Sequence, residues 1–311
     1  MLNATTFHAS KHLADIDLGP VQECCLFCDS TDQLSVISRL QRDPVVDLMK
    51  CASCGVCTAS RIPTVDALRN YYGGYYEQAG NAEGGHSKVT FHNTMRFAIH
   101  LAKVIRPVLG EGSLTILDFG GGDGTIAKEM AEGLISPVRP SATVTVVEYQ
   151  DEVVESSEHV TMRHESSLDA VDKQVESFDI IIASAIIEHL PEAKDETERL
   201  LCLLKPGGVL YVRTPFVVPI MRLMNSVGLK LDFTFPGHLH DMGQGFWEGY
   251  FSQLSASGPY RIVTSQPSIV ETTFSEHPAR TLFAYLLKSP WLILRSAYPF
   301  VGGWEIFVQK S

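Results

Sequence analysis

The sequence predicts an α/β fold: a parallel sheet with helices on both faces, preceded by a small cysteine-rich module. Three observations carry this. From residue 90 onward, apolar β-branched runs alternate with stretches of helical spacing. The first of those runs leads into a glycine-rich turn, "LTILDFGGGDGTIAKEM", at 114–130. Six of the seven cysteines fall between positions 24 and 57.

The cysteines come first in the chain. Cys25 and Cys28 form one C-x-x-C, and Cys51 and Cys54 form another, with 22 residues between them. Zn²⁺ favours four thiolates in a tetrahedron, and each tight turn can present two sulfurs to one ion. A closed four-thiolate site leaves no open position for catalysis, so its role would be structural or recognitional. Cys24 and Cys57 leave the ligand choice open, because Cys54 and Cys57 also make a C-x-x-C. Cys202 sits in a leucine-rich helical stretch and is expected in the core. The expected organisation is a zinc-ribbon-like module over 1–70, a Tyr/Gly-rich connection over 71–92, and the α/β domain over 93–311. The tyrosines of "LRNYYGGYY" either line a cleft or pack a seam between modules.

In the α/β part, "TMRFAIHLAKVIRPVL" has helical spacing that puts Phe97, Leu101, Val104, Ile105 and Val108 on one face. "LTILDF" is a strand, "GTIAKEMAEGL" a helix and "ATVTVVEY" a second strand. "DEVVESSE" reads as a short helix and "VTMRHES" as a third strand. "FDIIIASAII" is apolar throughout, as a strand covered on both faces should be. "AKDETERLLCLL" is a helix stopped by "KPGG". "GVLYVRTPF" and "RIVTSQPSIVETTF" are the fifth and sixth strands, helices occupy 279–298, and "GGWEIFVQK" is the last strand. Seven strands result. Phe246, Trp247 and Phe251 are expected as core or pocket wall.

Composition narrows the function. The chain has 311 residues, is 45% hydrophobic and 20% charged, and carries a formal net charge of -11. A core of ordinary size is available. A nucleic acid partner is disfavoured, because residues 1–86 hold 6 Lys/Arg against 10 Asp/Glu and no basic run appears elsewhere. The late apolar segment is broken by Lys288, Pro290, Arg295 and Pro299, so no membrane span is expected. No secretory signal is visible, which makes the cytoplasm the expected location. Oligomeric state is not readable.

The glycine turn then asks what it holds. Gly122, Gly124 and Ala127 match a dinucleotide fingerprint. Yet Asp118 precedes the turn and Asp123 lies in it, and two carboxylates beside a pyrophosphate cost energy. A cationic ligand without phosphate suits the turn better. "LDFGGGDGT" is similar to the D-x-G-x-G-x-G motif of class I S-adenosylmethionine-dependent methyltransferases. The resemblance covers roughly 90–311 and implies that family's Rossmann-like seven-stranded sheet. It implies that Gly120, Gly122 and Gly124 pass under the methionine part of S-adenosylmethionine and that Asp118 bears on its amino-acid end. It also implies ribose binding by Glu148 at the end of the second strand, adenine contacts from Glu165 and Ser166, and a cofactor contact from Ser184 at the end of the fourth. The knuckles followed by a Tyr-rich segment resemble, more loosely, small-molecule and sugar-related methyltransferases.

Methyl transfer to a hydroxyl benefits from a base near neutral pKa. His189 follows the fourth strand, and His238 and His240 follow the fifth, all in expected substrate-facing loops. "ASAIIEHL" resembles a stretch of ubiquinone-biosynthesis O-methyltransferases, some of which hold a divalent metal there. Ala185 stands where that group has an acid, so no metal is expected at this point. The function expected is methylation of a small molecule, on oxygen first. The alternatives are an RNA methyltransferase with a zinc module, or a binding protein that keeps the fold without catalysis.

Overall fold

The computed structural model describes residues 2–3, 10–32, 34–79, 93–149, 153–171, 176–258 and 260–311. Its centre is a seven-stranded sheet in the order β12-β13-β9-β8-β5-β6-β7. The strands are β5 (Leu114–Phe119), β6 (Ala142–Val147), β7 (Val160–Glu165), β8 (Phe178–Ser184), β9 (Leu204–Phe216), β12 (Tyr260–Pro267) and β13 (Gly302–Lys310). Strands β5 to β9 pair in parallel, while β13 runs antiparallel to both of its neighbours, β9 and β12.

The order turns back on itself at β5, which pairs with β6 on one side and β8 on the other. In open α/β sheets a ligand crevice forms outside the strand ends at such a reversal. The glycine turn sits there. On one face, α2 (Thr94–Ile105) and α3 (Thr125–Leu134) pack their Phe97, Leu101, Ala127 and Met130 against Ile116, Val144 and Ile180. On the other, α4 (Ala193–Leu203) and α6 (Gln244–Ser257) cover Leu117, Ile181 and Leu210 with Leu200, Trp247 and Phe251. Apolar side chains on both faces of one strand explain why "FDIIIAS" carries no polar alternation.

The N-terminal part forms a second sheet in the order β11-β4-β3-β2, from β2 (Leu34–Gln41), β3 (Val46–Cys51), β4 (Cys57–Ala59) and β11 (His240–Asp241). Its fourth strand therefore comes from the α/β part. Phe27 meets Phe246 edge-on at 4.9 Å and joins the core under α6. The cysteine module and the larger sheet share one apolar interior.

Several expectations change. The segment read as a connection begins with a helix, α1 (Val65–Ala79), and residues 80–92 lie outside the described residues. The residues described from "DEVVESSE", 153–158, contain no helix, and 151–152 are outside the description. "KPGG" belongs to β9 and not to a helix stop. Gly207 adopts φ +81, and a Cβ on Gly208 would lie 2.9 Å from two carbonyl oxygens, so the strand passes where a side chain would not. Helices α5 (Val218–Ser226) and α6 were not legible as such. Cys202, expected in the core, is exposed on the outer side of α4. Phe246, Trp247 and Phe251 are buried, as the aromatic run implied.

Candidate active site and cysteine centre

The turn after β5 is shaped by three left-handed glycines. Gly120, Gly122 and Gly124 have φ of +70, +60 and +76. A Cβ on Gly120 would lie 2.7 Å from the Ile186 side chain, and one on Gly124 would lie 2.6 Å from Val146. Between them, Gly121 lies directly against the Asp118 carboxylate. Only glycine therefore lets this loop lie so close to Ile186, Asp118 and Val146.

Asp118 is buried at the carboxyl end of β5. Burial, then the Glu148 and Asp123 carboxylates, push it up to about 7. Glu148 follows β6, and its Oε2 accepts from the Gly122 N–H at 3.3 Å. Its Oε1 accepts from the Tyr149 N–H at 2.8 Å. The peptide of Glu148 is itself fixed, since its N–H donates to Glu165 O and its carbonyl faces His164 Nε2 at 2.8 Å. Glu165 closes β7 half-buried and Ser166 follows it exposed. Ser184 ends β8, and its Oγ accepts from Arg213 Nε at 3.1 Å. All the residues assigned to cofactor binding from the motif lie at strand ends or in the turns that follow, at the carboxyl end of the sheet.

Three acids around a bare backbone loop make a poor phosphate site and a good one for a ligand carrying positive charge. A sulfonium and an amine at this turn would offset the burial, and then the repulsion from Glu148 and Asp123, that raise Asp118. The residues present therefore fit S-adenosylmethionine by charge.

The three histidines fall into two environments. His240 has both ring nitrogens engaged within the fold. Its Nδ1 lies 2.8 Å from Thr58 Oγ1 and its Nε2 lies 2.9 Å from Leu190 O. Phe27 packs edge-on against its ring at 5.4 Å. Burial lowers it to about 4, and its geometry ties β11 to β4. His189 and His238 stack with centroids 4.9 Å apart. His238 Nδ1 lies 2.7 Å from Thr234 Oγ1. His189 Nδ1 faces Gly237 O at 2.5 Å, and the Ala185 backbone also bonds its ring. Burial lowers His189 to about 4, against those two hydrogen bonds, which favour the protonated ring.

Beside them lies Glu188, for which the sequence suggested only that it opens the following helix. It is 1% exposed, and its Oε1 is 3.6 Å from His189 Nε2. Its Oε2 has no hydrogen-bond partner. Burial pushes the carboxyl up to about 8, with Arg213 opposing. One donor atom each from Glu188, His189 and His238 lies within 4.8 Å of the others. Such a group can carry a shared proton or a cation. Tyr72 reaches this region from α1: its hydroxyl donates to Gly237 O at 3.1 Å and its ring stands edge-on to His189 at 6.3 Å. The signal for it was the Tyr-rich segment, which did not say which tyrosine turns inward.

The cysteine ambiguity resolves geometrically. Cys25, Cys28, Cys51 and Cys54 bring their sulfurs within 4.8 Å of one another. Cys25 Sγ to Cys54 Sγ and Cys28 Sγ to Cys51 Sγ are both 3.6 Å. Four thiolates around one zinc stand about 3.8 Å apart, given a Zn–S bond of about 2.3 Å. The hydrogen bond from Cys54 lowers the Cys25 thiol to about 5 and raises Cys54 in turn. Gly55, at φ +84, makes the turn after the second knuckle. Cys57 instead lies in β4, where burial and Asp241 push its thiol up. Cys24 stands outside the group.

Fold and turn together define an α/β domain with an acid-lined glycine turn at a strand-order reversal. Residues 91–247 match the family model described as "Methyltransferase domain". The chain belongs to that methyltransferase family. Among curated proteins it is similar to a ubiquinone biosynthesis O-methyltransferase of Chelativorans sp. (strain BNC1). The identity is 31% over 135 residues, covering 43% of this chain and 51% of the relative. A protein of the same name from Xanthomonas campestris pv. campestris (strain B100) is 30% identical over 158 residues, covering 48% and 61%. The matches thus span half to three-fifths of those relatives' length. Among solved structures, a SAM dependent methyltransferase from Archaeoglobus fulgidus aligns at 12% identity and TM-score 0.45, covering 72% of this chain and 97% of that one. Among the described residues, no helix is long and apolar enough to cross a membrane.

Proposed function

We propose that this chain transfers a methyl group from S-adenosylmethionine to a hydroxyl oxygen of a small molecule. The observation that carries the reading is the acid-lined glycine turn, where burial and the Glu148 and Asp123 carboxylates raise Asp118 to about 7. When bound, the cofactor supplies a methyl group activated on a sulfonium. The chain's own share is alignment, exclusion of water and handling of one proton. Asp118 balances the ligand's positive end, and Gly120, Gly122 and Gly124 admit it against the backbone. Glu148 releases the Gly122 N–H to accept from ribose hydroxyls. Glu165, Ser166 and Ser184 bound the nucleoside side of the crevice.

His189 is the candidate base. The neutral ring has one N–H for the two backbone groups that face it, so uptake of a proton completes both hydrogen bonds. His238 stacks on it and holds its orientation. His240 is the weakest of the three candidates, because Thr58, Leu190 and Phe27 enclose its ring at the seam with the N-terminal sheet. Oxygen as the acceptor atom is supported by the names of the relatives, which are O-methyltransferases. We also assign Cys25, Cys28, Cys51 and Cys54 as ligands of one structural Zn²⁺ on their spacing and chemistry.

A screen of methyl-labelled cofactor against catechols, hydroxybenzoates, sugars and total RNA tests the reading. Label on a hydroxylated small molecule supports it. Label on RNA alone, or none with calorimetric cofactor binding intact, overturns it in favour of RNA methylation or of a non-catalytic binding protein.

A further inference from the structure

Helix α7 (Pro278–Lys288) is packed inside out. Its inward face is small and polar. Thr281 is fully buried and bonds Thr272 Oγ1 at 2.7 Å, and Lys288 turns inward to donate to Ser268 Oγ at 3.0 Å. The large apolar side chains point outward instead: Phe283 is 66% exposed, with Leu282 and Leu286 beside it. The next helix, α8 (Trp291–Leu294), buries Trp291 and exposes Leu292, Leu294 and Ile293, the last at 85%. An amphipathic helix ordinarily buries that face.

The position of this surface follows from the sheet. Pro267 pairs with Trp304 and Gly302 pairs with Phe216. The excursion from 268 to 301 therefore rises from the carboxyl end of β9, the end that carries the glycine turn. Helix α5 leaves the same end, and Ile220 comes within 3.7 Å of a Cβ placed on Gly302. It adds the exposed Leu223, Val227 and Leu229.

Charge selects the partner. The segments 217–230 and 277–303 hold the exposed Arg222, Lys230, Arg280 and Arg295, beside the inward Lys288, and not one Asp or Glu. The whole chain has 36 acids against 25 Lys/Arg. Arg295 is held on this surface by its guanidinium, 4.6 Å over the Trp291 ring. A symmetric contact between two copies would bring these cations toward one another. An anionic bilayer instead attracts the cations, accepts the apolar side chains and repels the acidic remainder of the chain, which fixes orientation.

We propose that α5, α7 and α8 form a peripheral docking surface for anionic lipid, which sets the cofactor end of the sheet against the bilayer. The proposal needs only the fold and does not depend on the acceptor. Flotation with vesicles of phosphatidylcholine and about one-third phosphatidylglycerol tests it, with pure phosphatidylcholine as the control. The expected result is capture by the anionic vesicles, weakened by salt. Phe283→Glu with Ile293→Glu should cut the bound fraction about tenfold. Arg222→Glu with Arg280→Glu, outside the apolar contacts, should do likewise and keeps the test open if the first variant fails to fold. Circular dichroism and calorimetric cofactor binding should be unchanged in any variant scored. No capture of the wild type overturns the proposal. So does equal capture of folded variants, or a dimer in sedimentation that the same substitutions dissolve while vesicle binding is nil.

Discussion

The rings of His189 and His238 lie stacked, 4.9 Å between centroids, with Glu188 Oε1 at 3.6 Å from His189 Nε2. Two stacked imidazoles beside a buried carboxyl have room for few protons. Burial holds His189 near 4 and Glu188 near 8, so at neutral pH the His189 ring is neutral and the acid is protonated. His189→Ala should lower kcat about 10²- to 10⁴-fold with KM for the cofactor unchanged, measured by initial rates. The rate should hold between pH 6 and 8 and fall only toward about pH 4, where His189 takes up its proton before the reaction. A main limb between pH 6 and 7 would exclude His189 as the base.

Asp118 makes cofactor affinity depend on pH. Its carboxyl is raised to about 7, so in the ligand-free protein it is partly protonated at neutral pH. A cation binds the ionised form better, so affinity should rise with pH through about 7 and then level off. By the same sign, a raised carboxyl contributes stability at low pH that is lost as pH climbs from about 4 toward 7. Asp118→Asn should flatten the calorimetric pH profile and weaken cofactor binding about tenfold or more.

His240 should separate fold from chemistry. Its depressed pKa, about 4, contributes stability above pH 6.5 that disappears as pH falls toward 4. His240→Ala leaves Thr58 and Leu190 unpaired and should cost about 1–3 kcal/mol in denaturant unfolding. Activity per folded molecule should survive. A variant that keeps its stability but loses turnover would restore His240 as a candidate base.

Metal content tests the thiol group. Elemental analysis should give about one zinc per chain, abolished by Cys51→Ser. Removal by a chelator should lower Tm and loosen α6, since Cys25, Phe27 and Cys51 share its core. A second equivalent of metal that follows Glu188→Gln would mean that the carboxyl–imidazole group holds a cation in place of a proton.

Gly120→Ala tests the turn itself. The added methyl meets Ile186 at 2.7 Å in a left-handed conformation. Cofactor binding should fall more than stability, by calorimetry and thermal melts.

The strands were legible where they are apolar on both faces, as in β8, and where a glycine turn punctuates them, as after β5. The cofactor end was legible for the same reason: acids and glycines at strand ends are local signals. Local signals failed where partners are distant. Nothing near Glu188 announces a buried, unbonded carboxylate oxygen, because the burial comes from His238 and Arg213 far along the chain. His189 and His240 look alike in sequence, and only Thr58 and Leu190 distinguish them. The choice among six cysteines needed their positions in space, since Cys57 has the spacing of a ligand but lies in a strand.

The pairing of β4 with β11 has a consequence for biosynthesis. Thr58 and His240, which bond across it, are 182 positions apart. As the chain leaves the ribosome, the front sheet waits with β4 as an open edge while nearly all of the larger sheet's strands emerge. Its last hydrogen bonds close a long loop whose entropic cost only the finished α/β core can offset. The first module to be made is thus among the last to be completed.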